Sequence, residues 1–129
     1  MERLRQFIYG IIAGICIGIG GIVYLSCENS IVGSFLFSIG LITICFFKLQ
    51  LFTGKVGYIV VNKPYYIIEL IITWIGNFTG TFLTGVLISH TRVFQNLSKV
   101  VSIVDTKLSD NIISIFILSV FCGMLMFIA

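Results

Sequence analysis

Charge is what this sequence has least of. Only 10% of its 129 residues are Asp, Glu, Lys or Arg, against about 25% in soluble domains. That scarcity excludes a water-soluble globule, because most of the surface must meet lipid. Histidine occurs once, at His90, and the five acids, Glu2, Glu28, Glu69, Asp105 and Asp110, are scattered. Without a Ser-His pair, paired carboxylates or metal-ligand spacing, the inventory offers no enzyme chemistry, no metal site and no cofactor. Cys16, Cys27, Cys45 and Cys122 show no C-x-x-C spacing and lie in or beside apolar segments, where they read as small buried residues rather than disulfides or ligands. The net charge of +3 is spread over the connections without a basic run, so nothing points to nucleic acid.

What the chain does have is apolar length. Residues 7–27, 30–47, 70–91 and 111–129 carry no charge, and each run is close to the roughly 20 residues that take a helix across about 30 Å of hydrocarbon. The pattern predicts an all-α, multi-pass integral membrane protein of the cell membrane, with helices over residues 7–27, 30–47, 65–89 and 111–129. The first run exceeds the apolar core of about 7–15 residues typical of a secretory signal, so it reads as a retained helix.

Arg3 and Arg5 place the N-terminus in the cytoplasm by the positive-inside rule, the connection holding Glu28 outside, and Lys55 and Lys63 back in the cytoplasm. Residues 89–110 should then be external, yet they hold Arg92, Lys99 and Lys107. Either the orientation is reversed or some of those charges have work to do there, and the second is the expectation. Val93, Leu97, Val100, Val101 and Val104 recur at helical spacing and predict a short amphipathic helix along the interface.

Small residues mark faces where helices meet. Gly10, Gly14 and Gly18 repeat at intervals of four, as do Gly76, Gly80 and Thr84; in lipid such stripes let two backbones approach closely. Asn77 lies beside Gly76, accompanied by Thr73, Thr79 and Thr81. An amide at that depth must find partners inside the protein, so it is expected to hold helices together.

After the second run the chain reads KLQLFTGKVGYIVVNKP and stays apolar as far as Val61. One helix from Ser30 to Val61 would rise about 48 Å at 1.5 Å per residue, far beyond the hydrocarbon thickness. A break over residues 48–54 and a short half helix over 55–62 are therefore expected, with Gly54 relieving the non-helical backbone. Such backbone is tolerated only against protein or a water-filled path, and transporters use it to present backbone dipoles to a solute.

The stretch GSFLFSIGLITICFFKLQLFTGK resembles the second helix of the formate/nitrite transporter family of small-anion channels, and AGICIGIGG, IGNFTGT and CGMLMFIA follow the same family pattern in order. The resemblance covers essentially the whole chain. It implies an aquaporin-like channel fold, of which these residues supply a half-pore plus a fourth helix. Leu51, Phe52 and Thr53 match the loop that interrupts the second helix. Phe37 and Leu41, with Leu51 and Phe52, match the pore constriction, and Thr53 the threonine that hydrogen-bonds the family's central histidine. Lys107, read as opening the fourth span, matches a vestibule lysine that attracts anions. Gly14, Gly18, Gly76, Asn77 and Gly80 take the packing role.

The implied function is a channel in the lipid bilayer for small monovalent anions such as formate, nitrite or hydrosulfide and their conjugate acids, assembled as a homopentamer. The alternative is a non-transporting scaffold of the same family. Lys48, Leu49 and Gln50 stand where relatives often carry Gly-Gly or Gly-Ala and an acid, Lys55 where a polar neutral residue is commoner, and Gly123 where an asparagine is usual. His90, at the end of the third span, does not take the central histidine's place. Family members have six helices in two inverted halves, so the chain is expected to be a truncated or fragmentary form lacking the second half.

Overall fold

The computed structural model describes residues 2–96 and 98–128. Leu97 of the expected amphipathic segment and Ala129 of the last span lie outside the described residues. The helices are α1 (Glu2–Ser26), α2 (Ser30–Phe46), α3 (Phe52–Lys55), α4 (Tyr66–Ser89), α5 (Ser98–Ser109) and α6 (Ile112–Ile128), with 3-10 turns over Val56–Val60 and Arg92–Asn96. Among the described residues no strand occurs, and the protein is an all-helical, multi-pass membrane protein.

Charge reports where lipid ends, not where backbone bonding ends. α1 accordingly starts at Glu2 rather than at residue 7 and carries Arg3 and Arg5 on its first turns. α2 begins where the Asn29 side chain accepts the amides of Ile31 and Val32, at 2.9 and 3.4 Å. At the head of α6 Asn111 accepts from Ile113 at 2.9 Å, while Asp110 accepts from the Ser114 hydroxyl at 2.9 Å. The Asn29 and Asn111 side chains thus cap otherwise orphaned helix donors.

Four single-helix spans were expected. Among the described residues α1 and α4, of 25 and 24 residues, are the helices long and apolar enough to cross a membrane alone, and a third span arises if residues 99–109 and α6 are taken together across their 115° bend. α2 has 17 residues, a rise of about 25 Å. The expected amphipathic helix over 93–104 is divided between the turn Arg92–Asn96 and α5. Lys107 therefore does not open the fourth span: it stands exposed in the last turn of α5, and the cap at Asn111 starts a separate helix.

α1 packs along α4 on one side and α2 on the other. Gly10 faces Gly76 and Gly18 faces Thr84, so α1 and α4 run parallel; Gly20 meets Phe37 and Gly40 meets Cys16, so α1 and α2 run antiparallel. The buried residues gather on these seams: Ala13, Ile44, Leu70, Thr73 and Thr84. α6 touches mainly α3 and the turn after it, and Ile112, Phe116, Leu125 and Ile128 are exposed on its sides. An apolar surface of that kind suits contact with hydrocarbon.

Candidate functional site: the broken second helix

α2 ends through hydrogen bonds that reach back into its last turn. The Lys48 amide donates to the Cys45 carbonyl at 3.2 Å and the Leu49 amide to the Ile44 carbonyl at 2.9 Å, with Lys48 in the left-handed region at φ 51°. This is the Schellman arrangement, normally closed by glycine. The break thus covers residues 47–51. The α-helix resumes at Phe52, ahead of the expected half helix over 55–62, and residues 56–60 form a 3-10 turn instead. Thr53 and Gly54 are helical, so the special backbone angle expected at Gly54 belongs to Lys48.

Asn77 on α4 closes the opened backbone. Its Oδ1 accepts the Phe52 amide at 2.8 Å, and its Nδ2 donates to the carbonyls of Gln50 at 2.7 Å and Gly10 at 2.9 Å. One side chain thereby joins α1, α4 and both edges of the break, and supplies partners that lipid cannot. The amide reaches Gly10 because the two helices almost touch. A Cβ on Gly14 would stand 2.3 Å from the Asn77 carbonyl oxygen, and one on Gly76 would stand 3.1 Å from the Gly10 Cα. Gly80 lies equally tight against Ile11, while Gly18 meets the Thr84 side chain.

Two cavities flank the break. The smaller, about 240 Å³, is lined by Leu41 and Ile44 of α2, Leu49 and Leu51 of the break, Gly54 of α3, and Met126 and Phe127 of α6. It brings Leu41 and Leu51 together. Phe37 lies higher, half-buried with its ring against Gly20, and Phe52 and Thr53 are half-buried on α3 outside that lining. The larger cavity, about 540 Å³, is lined by Glu2, Arg3 and Arg5 of α1, Gln50 of the break, and Tyr65 and Glu69 beside the start of α4. Lys48 and Lys55 line both cavities. Arg3 lies over the Tyr65 ring at 5.4 Å and Arg5 over Tyr9 at 5.1 Å, holding those guanidinium groups by cation–π attraction.

Three polar residues have contacts that the sequence did not foretell. Gln6 donates to the Glu69 carbonyl at 2.9 Å and to the Thr73 hydroxyl at 3.1 Å, extending the Gly10, Gly14 stripe by one turn; that spacing could have found it. Lys99 donates to the carbonyls of Cys27 and Glu28 beyond the end of α1, the latter at 2.9 Å. It is one of the basic residues that break the charge count, but the count alone does not separate it from Arg92 or Lys107. Gln50 carries a buried side-chain oxygen without a hydrogen-bond partner among the described residues.

The four cysteines are free thiols on separate elements. Among the described residues no group of three or more His, Cys, Asp and Glu side chains is close enough to hold a metal.

A family model described as Formate/nitrite transporter matches residues 1–129. No curated protein and no solved structure matches the chain. The family is one of membrane transporters, which fits the apolar helices. With the match running from the first residue to the last, over helices that include a broken second segment, the chain belongs to the formate/nitrite transporter family.

Proposed function

We propose that this chain forms one side of an aquaporin-like pathway for small monovalent anions, such as formate, nitrite or hydrosulfide, and their conjugate acids. The observation that carries the reading is the break at residues 47–51, held inside the protein by Asn77 and bordered by an apolar cavity lined by both Leu41 and Leu51. An apolar narrowing of this kind raises the cost of passing a hydrated ion, so a solute crosses after shedding water or as a neutral acid. Leu41, Leu51, Phe52 and Phe37 form the constriction, and the Thr53 hydroxyl gives a polar contact within it.

Lys107, exposed near the end of α5, draws anions toward the mouth on the side of the α1–α2 connection. The N-terminus lies in the cytoplasm, and subunits assemble as a pentamer, which mass measurement of the detergent-solubilised protein would test. The test of the pathway is flux in liposomes. Replacing Leu51 and Phe52 together with alanine is expected to raise leak and blur discrimination between small anions; unchanged flux and discrimination would remove both residues from the pathway.

A further inference from the structure

Lys48 and Lys55 are the two residues common to the linings of both cavities beside the break. On one side of them lies the larger cavity, where Arg3 and Arg5 stand with Glu2 and Glu69; on the other lies the apolar cavity of Leu41 and Leu51. Lys48 is brought there by its left-handed backbone angle at the end of α2, and Lys55 by the last turn of α3. The break itself thus carries one lysine, Lys48, and is followed by a second, Lys55, at the end of the first resumed turn. We propose that Lys48 and Lys55 form a binding site for a small monovalent anion at the threshold between the two cavities, at the mouth opposite Lys107. This inference rests on the pathway reading given above.

The charge balance supports an anion. The larger cavity carries four basic side chains, Arg3, Arg5, Lys48 and Lys55, against two acids, Glu2 and Glu69. Cation–π contact directs the two arginines toward Tyr65 and Tyr9, while the Glu69 carboxylate lies near enough to Lys55 to oppose part of its charge. The two lysines are the groups that also reach the apolar side. An ammonium is a compact charge on a flexible stem, able to follow an anion from water toward the constriction. Low-dielectric walls on the Leu41 side strengthen that attraction. The backbone carbonyl of Lys55 is separately held by the Tyr66 hydroxyl at 3.2 Å, so its side chain can be changed without removing that bond.

The experiment uses formate as the probe, with the protein in liposomes. Lys48→Asn and Lys55→Gln are combined, asparagine being chosen because it tolerates the left-handed backbone angle. The double variant is expected to lower formate flux about tenfold at low ionic strength, in line with the lower range of electrostatic focusing, and to raise the formate concentration needed for half-saturation. The difference should shrink in high salt, where exposed charges are screened. Arginine at both positions should restore most of the flux and its salt dependence. A merely anchoring role predicts a loss that salt does not alter and that tracks reduced assembly. Wild-type flux matched by the neutral double variant at low salt would overturn the site while leaving the pathway standing. Absence of formate flux in the wild type would overturn both.

Discussion

The Oδ1 of Asn77 accepts the amide hydrogen of Phe52 at 2.8 Å, joining the middle of α4 to the residue at which the interrupted helix resumes. Although the same side chain also donates to the Gln50 and Gly10 carbonyls, the Gly10 carbonyl keeps its bond within α1, so a leucine of similar shape would leave two backbone groups unpaired, the Phe52 amide and the Gln50 carbonyl. Each costs about 1–3 kcal/mol when buried. Asn77→Leu should therefore lower thermal stability in detergent by several degrees and speed hydrogen exchange in the segment 48–58 more than elsewhere. Uniform exchange across the chain would contradict this local role.

Gly80 and Ile11 set the closest approach of α4 to α1: a Cβ on Gly80 would lie 2.1 Å from the Ile11 carbonyl oxygen. Backbone cannot yield as a flexible side chain can. Gly80→Ala is expected to cost about 1–3 kcal/mol, the usual range for overpacking. Gly85, with nothing near its Cβ position, provides the contrast. Alanine there should be neutral or stabilising by up to about 1 kcal/mol, since glycine is the poorer helix former. Thermal unfolding of the two variants side by side checks the sign of each.

Lys48 holds a left-handed backbone angle in the position that closes the end of α2. For an L-residue that conformation costs roughly 1–2 kcal/mol, partly offset in a glycine variant by the greater freedom of its unfolded chain. Thermal stability should rank Lys48→Gly above Lys48→Asn, then Lys48→Ala, with Lys48→Val lowest. A ranking led by valine would show that the angle is not retained.

What could be read from the sequence follows the reach of the forces involved. Burying a charge in hydrocarbon is costly wherever the helix packs, so charge-free runs mark α2 and α6 to within a residue or so, without tertiary knowledge. Backbone bonding continues past the hydrocarbon edge, which is why α1 extends to Glu2. Too much apolar length between Ser30 and Val61 forces a break, but its register depends on Asn77, 25 residues beyond Phe52, and no local signal reports that distance. Gly54 is attractive as the relaxed residue because glycine usually closes such a turn; here a lysine takes the strain. Likewise the excess of basic residues in 89–110 flags a region, but finding Lys99 among them requires knowing where α5 docks.

Lys99 places its ammonium against the carbonyls of Cys27 and Glu28, beyond the C-terminal end of α1. A cation there satisfies orphaned acceptors and opposes the negative end of the helix dipole, worth about 0.3–1 kcal/mol where partly exposed. Lys99→Met keeps the stem and removes the charge; it should loosen α5, seen as faster proteolysis within residues 92–110. Lys99→Arg should retain protection. Equal cleavage of the methionine variant and the wild type would detach Lys99 from that role.

The bond between Phe52 and Asn77 also imposes an order of events during synthesis. The amide that holds the break is made 25 residues after the residue it holds, which at about 5–20 residues per second is a delay on the order of 1–5 s. Through that interval the freed backbone around Gln50 and Phe52 has no partner from α4, and lipid offers none. Residues 47–61 must therefore wait in water or within the insertion machinery while α4 is threaded into the bilayer. Insertion is then not a simple succession of finished hairpins: the half helix made earlier enters its final place only after the longer helix made later has arrived.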